Sequence, residues 1–449
     1  MCVMNIVRLC ELEGVRRFDA DYYQLEYFSL IDKLKSVGAV PVKEVAVPVK
    51  RRFMPKEDEY FDYIEISDVD LVTGEFSTSR VVGVEAPNRA QWIVKEGDVL
   101  ISTVNPIRNA VVLVRKGFDN LVASSGFCVL RPQRVSSEYL FIYFKTEFMR
   151  RLLNRYAITS EYPTIVWKDI LNIPVYVPSE SVQEVISTKV RRAVELLEQS
   201  KRFYFQAESF LLSELGLEGF ELSEEHFYSV DLSRMSACCR MDVEFFDPGF
   251  DKMIERISKK AELVPLKNFI ISVKRGVEVG SENYRDDGVP FIRVSNLSVN
   301  GLVSKDQKFI SQELYEVLKD KFNPTEGEIL LTKDAIPGIA YFVQERIQGI
   351  VSGGILRVNV VGIDPWYLCL CVNSVIGRLQ IKKSVRGSVI PHLGLWYIRN
   401  LMVPVLPKEV QWEIAEFVRK SYDLRKEGIW LLKVLKREVE RFIFETDSR

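Results

Sequence analysis

"YPTIVWKDILNIPVYVP", Tyr162 to Pro178, is nearly repeated 228 residues later as "IPHLGLWYIRNLMVPVLP", ending at Pro407. In that register Pro163 meets Pro391, Ile170 meets Ile398, Asn172 meets Asn400, and Val175 and Val177 meet Val403 and Val405. Such a match decides the architecture if it extends along the chain, and it does. "RRFDADYYQLEYFSLIDKL" from Arg16 answers "CRMDVEFFDPGFDKMIERI" from Cys239, and "PVKEVAVPVKRR" (41–52) answers "PLKNFIISVKRG" (265–276). "YIEISDVDLVTGEF" from Tyr63 answers "FIRVSNLSVNGLVS" from Phe291, and "EGDVLIST" (96–103) answers "EGEILLTK" (326–333). The offset drifts only between 223 and 230. One large unit is used twice, which is not the pattern of a solenoid of short repeats.

Within each unit the periodicity changes once. Short β-rich runs such as "VVLVRKG", "DVLIST" and "FCVLRP" alternate with Gly, Pro and Asn turns, the pattern of a mixed α/β (α+β) globular domain. After Pro178, and again after Pro407, apolar residues step by 3, 4 or 7: Val182, Ile186, Val190, Ala193, Leu197, Tyr204, Ala207 and Leu211 in one copy, Val410, Ile414, Phe417, Leu424, Leu431, Leu435, Val439 and Phe442 in the other. Proline suits a helix start, and Gly216 and Gly219 supply stop signals for the first helix. The expected domains are 1–178, a helix over 179–215, a second domain over 216–407 with a linker at 216–238, and a helix over 408–449. Helices up to about 55 Å long with continuous apolar seams call for partners, and the nearest partner for each is the other, antiparallel.

Composition sets the bounds. A chain of 449 residues exceeds what one core usually serves, and 47% hydrophobic with 27% charged residues is ordinary for a globular protein. No run is long enough to span a membrane and the start lacks a signal pattern, so a cytoplasmic protein with no membrane partner is expected. The seven cysteines form no C-x-x-C pair, and only His226 and His392 could add to them, which disfavours a zinc site. Net charge is −1, so any polyanion partner has to be met by local clusters of cations.

The motifs of common enzymes are missing: no Walker loop, no G-x-G-x-x-G after a strand, no G-x-S-x-G elbow, no H-E-x-x-H helix. "DPWY" at Asp364–Tyr367 is similar to the tetrad with which amino-methyltransferases grip a base. It lacks the second proline and reads better as a helix start, with Asp364 as cap and Pro365 in the first turn. Cations do cluster. "KRRFMPK" holds Lys50, Arg51, Arg52 and Lys56, and its counterpart holds Lys274 and Arg275. "MRRLLNRYAITSEYP" holds Arg150, Arg151 and Arg155, and its counterpart holds Arg378, Lys382, Lys383 and Arg386. On loops, such residues suit phosphates and guanine edges. The most divergent loops, "STVNPIRNAV" against "TKDAIPGIAY", add Arg108 and Lys333 as candidates.

This pattern resembles the specificity (S) subunits of type I restriction–modification systems. The resemblance rests on the "RRFDADYY" and "CRMDVEFF" openings, the "EGDVLIS" and "EGEILLT" strands, and "GSVIPHLGLWYIRNLMVPVLPKEVQWEIAEFV", with its glycine, "IPHL", N-x-x-V-P and a Pro-x-x-x-Q helix start. It adds His392 to the DNA-binding candidates; the first copy departs from the pattern, with Thr164 where His392 stands. The resemblance implies a non-catalytic protein. Two target-recognition domains would each read one half of a split, asymmetric double-stranded DNA site, with two long antiparallel helices between them as spacer. It implies docking of two methyltransferase (M) subunits, expected on Val190, Leu197, Leu211, Phe417, Leu435 and Val439, and assembly with restriction (R) subunits. No cofactor is expected on this chain; S-adenosylmethionine would sit on M, and ATP and Mg on R. The competing expectations are a duplicated α/β enzyme acting on a small molecule and a plain coiled-coil scaffold.

Overall fold

The computed structural model describes residues 20–158, 162–220, 229–238, 240–285, 287–304, 306–385 and 391–445. The chain forms two compact units, one of Met1–Leu196 with Glu427–Arg449, the other of Leu197–Lys426. The long helices run Glu180–Glu214 and Lys408–Phe444, so each unit takes part of both rather than ending where a helix begins. The first helix stops as its glycines dictate: Gly216 and Gly219 have φ of 67° and 60°, and the Leu217 N–H donates back to Leu212 O at 2.7 Å. The expected linker 216–238 lies partly outside the described residues.

Both units are built on the same mixed α/β plan. In unit 1 a four-stranded antiparallel sheet has the order Ala46–Pro48, Phe127–Pro132, Val99–Ser102, Val111–Leu113. In unit 2 the order is Ile270–Arg275, Ile355–Val360, Ile329–Thr332, Ala340–Phe342. Each unit also has a mixed sheet with a parallel pair at its heart, Tyr60–Ile64 beside Leu121–Ser124 and Val289–Ile292 beside Ile350–Val351. The plans part in the mixed sheet. Unit 1 adds the strand Ala90–Val94 to its mixed sheet, and the corresponding chain of unit 2 forms the helix Gln312–Phe322.

The repeated motifs have physical reasons. The acidic residue of "EGD" and "EGE" opens an inner strand, is almost fully buried, and neutralises an arginine of the adjacent antiparallel strand. Asp98 takes Arg131 Nε at 2.7 Å, and Glu328 takes Arg357 Nε at 2.7 Å and Nη2 at 2.9 Å. The tyrosines of a further repeated pair, the "YL" of Tyr139-Leu140 and Tyr367-Leu368, are buried on helices Ser137–Phe144 and Pro365–Asn373 and donate to backbone carbonyls just ahead of the long helices, Tyr139 to Tyr176 O at 2.7 Å and Tyr367 to Pro404 O at 2.8 Å. An equivalent glutamine in the first turns of each long helix then ties its entry down by bonding a carbonyl five residues back: Gln183 Nε2 donates to Pro178 O at 3.0 Å and Gln411 Nε2 to Leu406 O at 2.8 Å. Gln183 Oε1 also accepts from the Ser136 N–H at 3.0 Å. Asp364 caps its helix through the N–H groups of Trp366 and Tyr367, the structural role expected for "DPWY".

The seams of the long helices are occupied within each unit. In unit 1 Ile186, Val190, Ala193, Leu435 and Val439 are buried, and Lys189 pairs with Glu438 at 2.8 Å. In unit 2 Leu197, Ala207, Leu211, Ile414 and Val418 are buried, Ser200 and Ser421 hydroxyls meet at 3.1 Å, and the rings of Phe203 and Phe210 pack on Phe417. This corrects the expected M-docking set: Val190, Leu197, Leu211, Leu435 and Val439 are at most 1% exposed, and Phe417 is half-buried, because the core of the chain itself takes that face. The large side chains these helices leave exposed are others, Val185, Phe205, Trp412 and Trp430 among them. No helix among the described residues is long and apolar enough to cross a membrane.

Candidate nucleic-acid interface

In each unit three segments converge at one end of the antiparallel sheet: the basic strand end (50–52 or 274–276), the loop after the inner strand (103–105 or 333–335), and the start of the repeated stretch (163–165 or 391–393). The backbone bonds that join them are equivalent. Ile165 N–H donates to Thr103 O at 2.8 Å and Asn105 N–H to Pro163 O at 2.7 Å. In unit 2 Leu393 N–H donates to Lys333 O at 2.8 Å and Ala335 N–H to Pro391 O at 3.0 Å. The turn residue is left-handed in both, Asn105 at φ 46° and Ala335 at φ 59°. Asparagine tolerates that conformation; alanine does so only where its surroundings impose it. The opening stretch is thus the strap across the sheet end as well as the way into the helix.

Side-chain direction sorts the cations of unit 1. Residues two apart in an extended chain share a face and their neighbour takes the other. Arg51 turns to the buried Asp98, which it bonds together with Arg131, and its Nε reaches Ile93 O at 3.2 Å. Lys50 and Arg52 are exposed, and both line a cavity of about 360 Å³ shared with Trp92, Phe127 and Trp167. Lys56 and Arg108 are exposed as well, Lys56 lying 3.8 Å from Glu59.

Unit 2 presents a different set. Lys274 and Arg275 are exposed at the end of their strand. Lys333 and His392 both bond the Asp334 carboxylate, His392 Nδ1 at 2.7 Å. Burial raises the Asp334 carboxyl, but the bonds from Lys333 and His392 outweigh it and hold the group below its ordinary range. His392 keeps 60% of its side chain exposed, so this hydrogen-bonded group is available at the surface. Lys382 is exposed on the helix Val375–Ser384.

Two expectations are corrected. Arg155 is no loop cation: it sits on the helix Glu147–Tyr156, is 2% exposed, donates to Tyr22 O at 2.9 Å and packs over the rings of Tyr22, Phe28 and Tyr156. Its neighbours Arg150 and Arg151 bond Glu147 one turn away. Lys383 is likewise largely covered, with its ammonium 4.0 Å from the Phe250 ring centre and 3.6 Å from Asp251. Arg386 lies outside the described residues. The sequence reading missed the exposed aromatics at the site, Trp167 and Trp396, although a tryptophan in both copies of the strap was a visible signal.

Residues 33–203 match the model of the type I restriction modification DNA specificity domain. The chain is 22% identical over 385 residues to the type I restriction enzyme MjaIX specificity subunit of Methanocaldococcus jannaschii, covering 82% of this chain and 79% of that one. It is 24% identical over 150 residues, 32% of each chain, to the HindI specificity subunit of Haemophilus influenzae. Among solved structures, the HsdS subunit of Thermoanaerobacter tengcongensis is 18% identical, with a TM-score of 0.34 and coverage of 91% of this chain and 96% of that one. The type I restriction-modification S subunit from M. genitalium is 12% identical, with a TM-score of 0.41 and coverage of 90% and 95%. Through the matched domain and along most of its length, the chain is similar to type I restriction enzyme specificity subunits.

Proposed function

We propose that the chain is the non-catalytic specificity subunit of a type I restriction–modification complex, each unit reading one half of a bipartite, asymmetric double-stranded DNA site. The observation that carries this is one frame bearing two sets of side chains. The backbone bonds at the sheet end repeat, while Thr103-Val104-Asn105 gives way to Lys333-Asp334-Ala335, Thr164 to His392, and Arg52 to Gly276. A frame kept with its reading residues changed suits two half-sites of different sequence. Phosphate contacts from Lys56, Arg108, Lys274, Arg275 and Lys382 would set position, and base-edge contacts near 103–105 and 333–335 would set identity. The long helices would fix the spacing and dock two M subunits, which would carry S-adenosylmethionine; R subunits would bring ATP and Mg.

The test is a graft. Replacing residues 16–178 with those of a relative that has a different site, then methylating DNA with the M partner and S-adenosylmethionine, changes one half of the modified sequence and leaves its spacing fixed. A change in both halves, or methylation by the chain without M, would falsify the two-headed reading.

A further inference from the structure

We propose that the cavity of unit 1 beside Lys50 and Arg52 is a slot for one unstacked nucleobase, with the nucleotide's phosphate held by those two cations. The cavity is built by chain pairing. Arg52 and Trp92 face each other across an antiparallel bridge, flanked by Ile93 N–H to Arg51 O at 2.8 Å and Phe53 N–H to Gln91 O at 2.7 Å. Residues directly opposite in such a pair project to the same side, so the guanidinium of Arg52 and the indole of Trp92 belong to one wall. Trp167, from the strap, supplies a second aromatic surface and Phe127 a third. At about 360 Å³ the space lies in the range of small-molecule sites, roughly 300–1,000 Å³.

Two features favour a base over another apolar ring. The Lys50 ammonium lies 5.6 Å from the Trp167 ring centre, on a flexible stem that can exchange the ring for a phosphate and leave the indole to stack. Arg52 is exposed at the same rim, so the anionic end of a nucleotide meets two cations while its ring meets aromatics, the usual division of labour in single-base recognition. Unit 2 does not repeat the device. Gly276 stands where Arg52 does, and a Cβ there would lie 2.1 Å from Ser352 O, so the backbone closes over that position. The slot therefore acts in one half of the molecule only. As an acceptor of a base extruded from a duplex it rests on the reading of unit 1 as a recognition domain; as a site for a free nucleotide it does not.

The experiment titrates the full chain with dAMP, dGMP, dCMP and dTMP and follows tryptophan fluorescence. In parallel, a duplex with 2-aminopurine opposite an abasic site is followed by its own emission and by gel shift. At least one probe gives a saturable change. Trp167→Ala weakens it about 10-fold or more, the size expected of losing one stacking partner, while Trp167→Phe, which keeps a ring, stays within roughly 3-fold of the parent. Arg52→Gln with Lys50→Gln abolishes the preference for each nucleotide over its nucleoside, which is titrated alongside. A response to mononucleotides alone identifies a free nucleotide as the occupant, and a 2-aminopurine response identifies an extruded base; either supports the slot. A duplex that is retained with neither response overturns the slot and leaves DNA recognition standing. No retention and no response removes both.

Discussion

Replacing Arg357 with Met tests how unit 2 is held together. Its guanidinium forks onto Glu328 through Nε at 2.7 Å and Nη2 at 2.9 Å, and its Nη1 donates to Lys321 O at 2.6 Å. The two side chains are 2% and 1% exposed, so solvent cannot take over either role. Burial alone would raise the Glu328 carboxyl, yet Arg357 and the Thr325 N–H hold it below its ordinary range. Removing the cation leaves a buried carboxylate with one backbone donor, a loss of about 3–5 kcal/mol. The pH dependence should change sign. In the parent, stability from Glu328 is present above the unfolded carboxyl pKa and is lost as pH falls through the lower folded one. In Arg357→Met the folded carboxyl rises above its unfolded value, so acidification through that window relieves part of the defect. The doubly apolar variant, Arg357→Met with Glu328→Leu, removes the stranded charge and should recover most of the loss. Hydrogen exchange of the strands Ile329–Thr332 and Ile355–Val360 is the assay, since it reports this sheet without assuming that both units unfold together. A loss below about 1 kcal/mol, well under the cost of stranding a buried charge, or a double variant as unstable as the single, would refute the argument.

Gln411→Leu strands the Leu406 carbonyl at the entry to the second long helix and should cost about 1–3 kcal/mol in urea unfolding; a neutral outcome would mean that the Pro-x-x-x-Q motif has no role in holding that entry. Lys145 is buried, donates to Leu71 O at 2.6 Å, and is pulled down to about 7 by burial and then by the Lys436 ammonium. The unfolded chain therefore holds one more proton than the folded one between about pH 7 and the ordinary lysine pKa. Stability from this group rises with pH across that window, and Lys145→Met should flatten the parent's slope between pH 7 and 9.

The duplication was legible because its residues are local and similar: both tyrosines of the "YL" pairs, both glutamines and both straps make matching bonds. Why "EGD" and "EGE" recur was not legible. The partners of Asp98 and Glu328 are Arg131 and Arg357, about 30 residues further on, and only strand pairing shows that they meet. Periodicity found the apolar seams of the long helices but could not tell a face buried by the chain itself from one kept for a partner, and Leu197 and Leu435 proved to be the former. The same limit applied to cations. Arg155 and Arg52 look alike in sequence, yet one lies among aromatic rings and the other stands at a cavity mouth. Alternation separates Arg51 from its neighbours only once 50–52 is known to be extended against 91–93.

That each compact unit takes part of both long helices bears on how the protein comes into being. Unit 2 is a continuous stretch, 197–426, and has all its residues as soon as that stretch has been synthesised. Unit 1 is discontinuous: its first part is made early but lacks residues 427–449 until everything between has emerged. Until then Lys189 has no Glu438, the Glu147 N–H has no Glu440 carboxylate, and the Phe148 ring has no Phe444. The domain translated first is thus the last to close, and throughout the synthesis of unit 2 these positions stand without their partners, the kind of incomplete packing that chaperones attend.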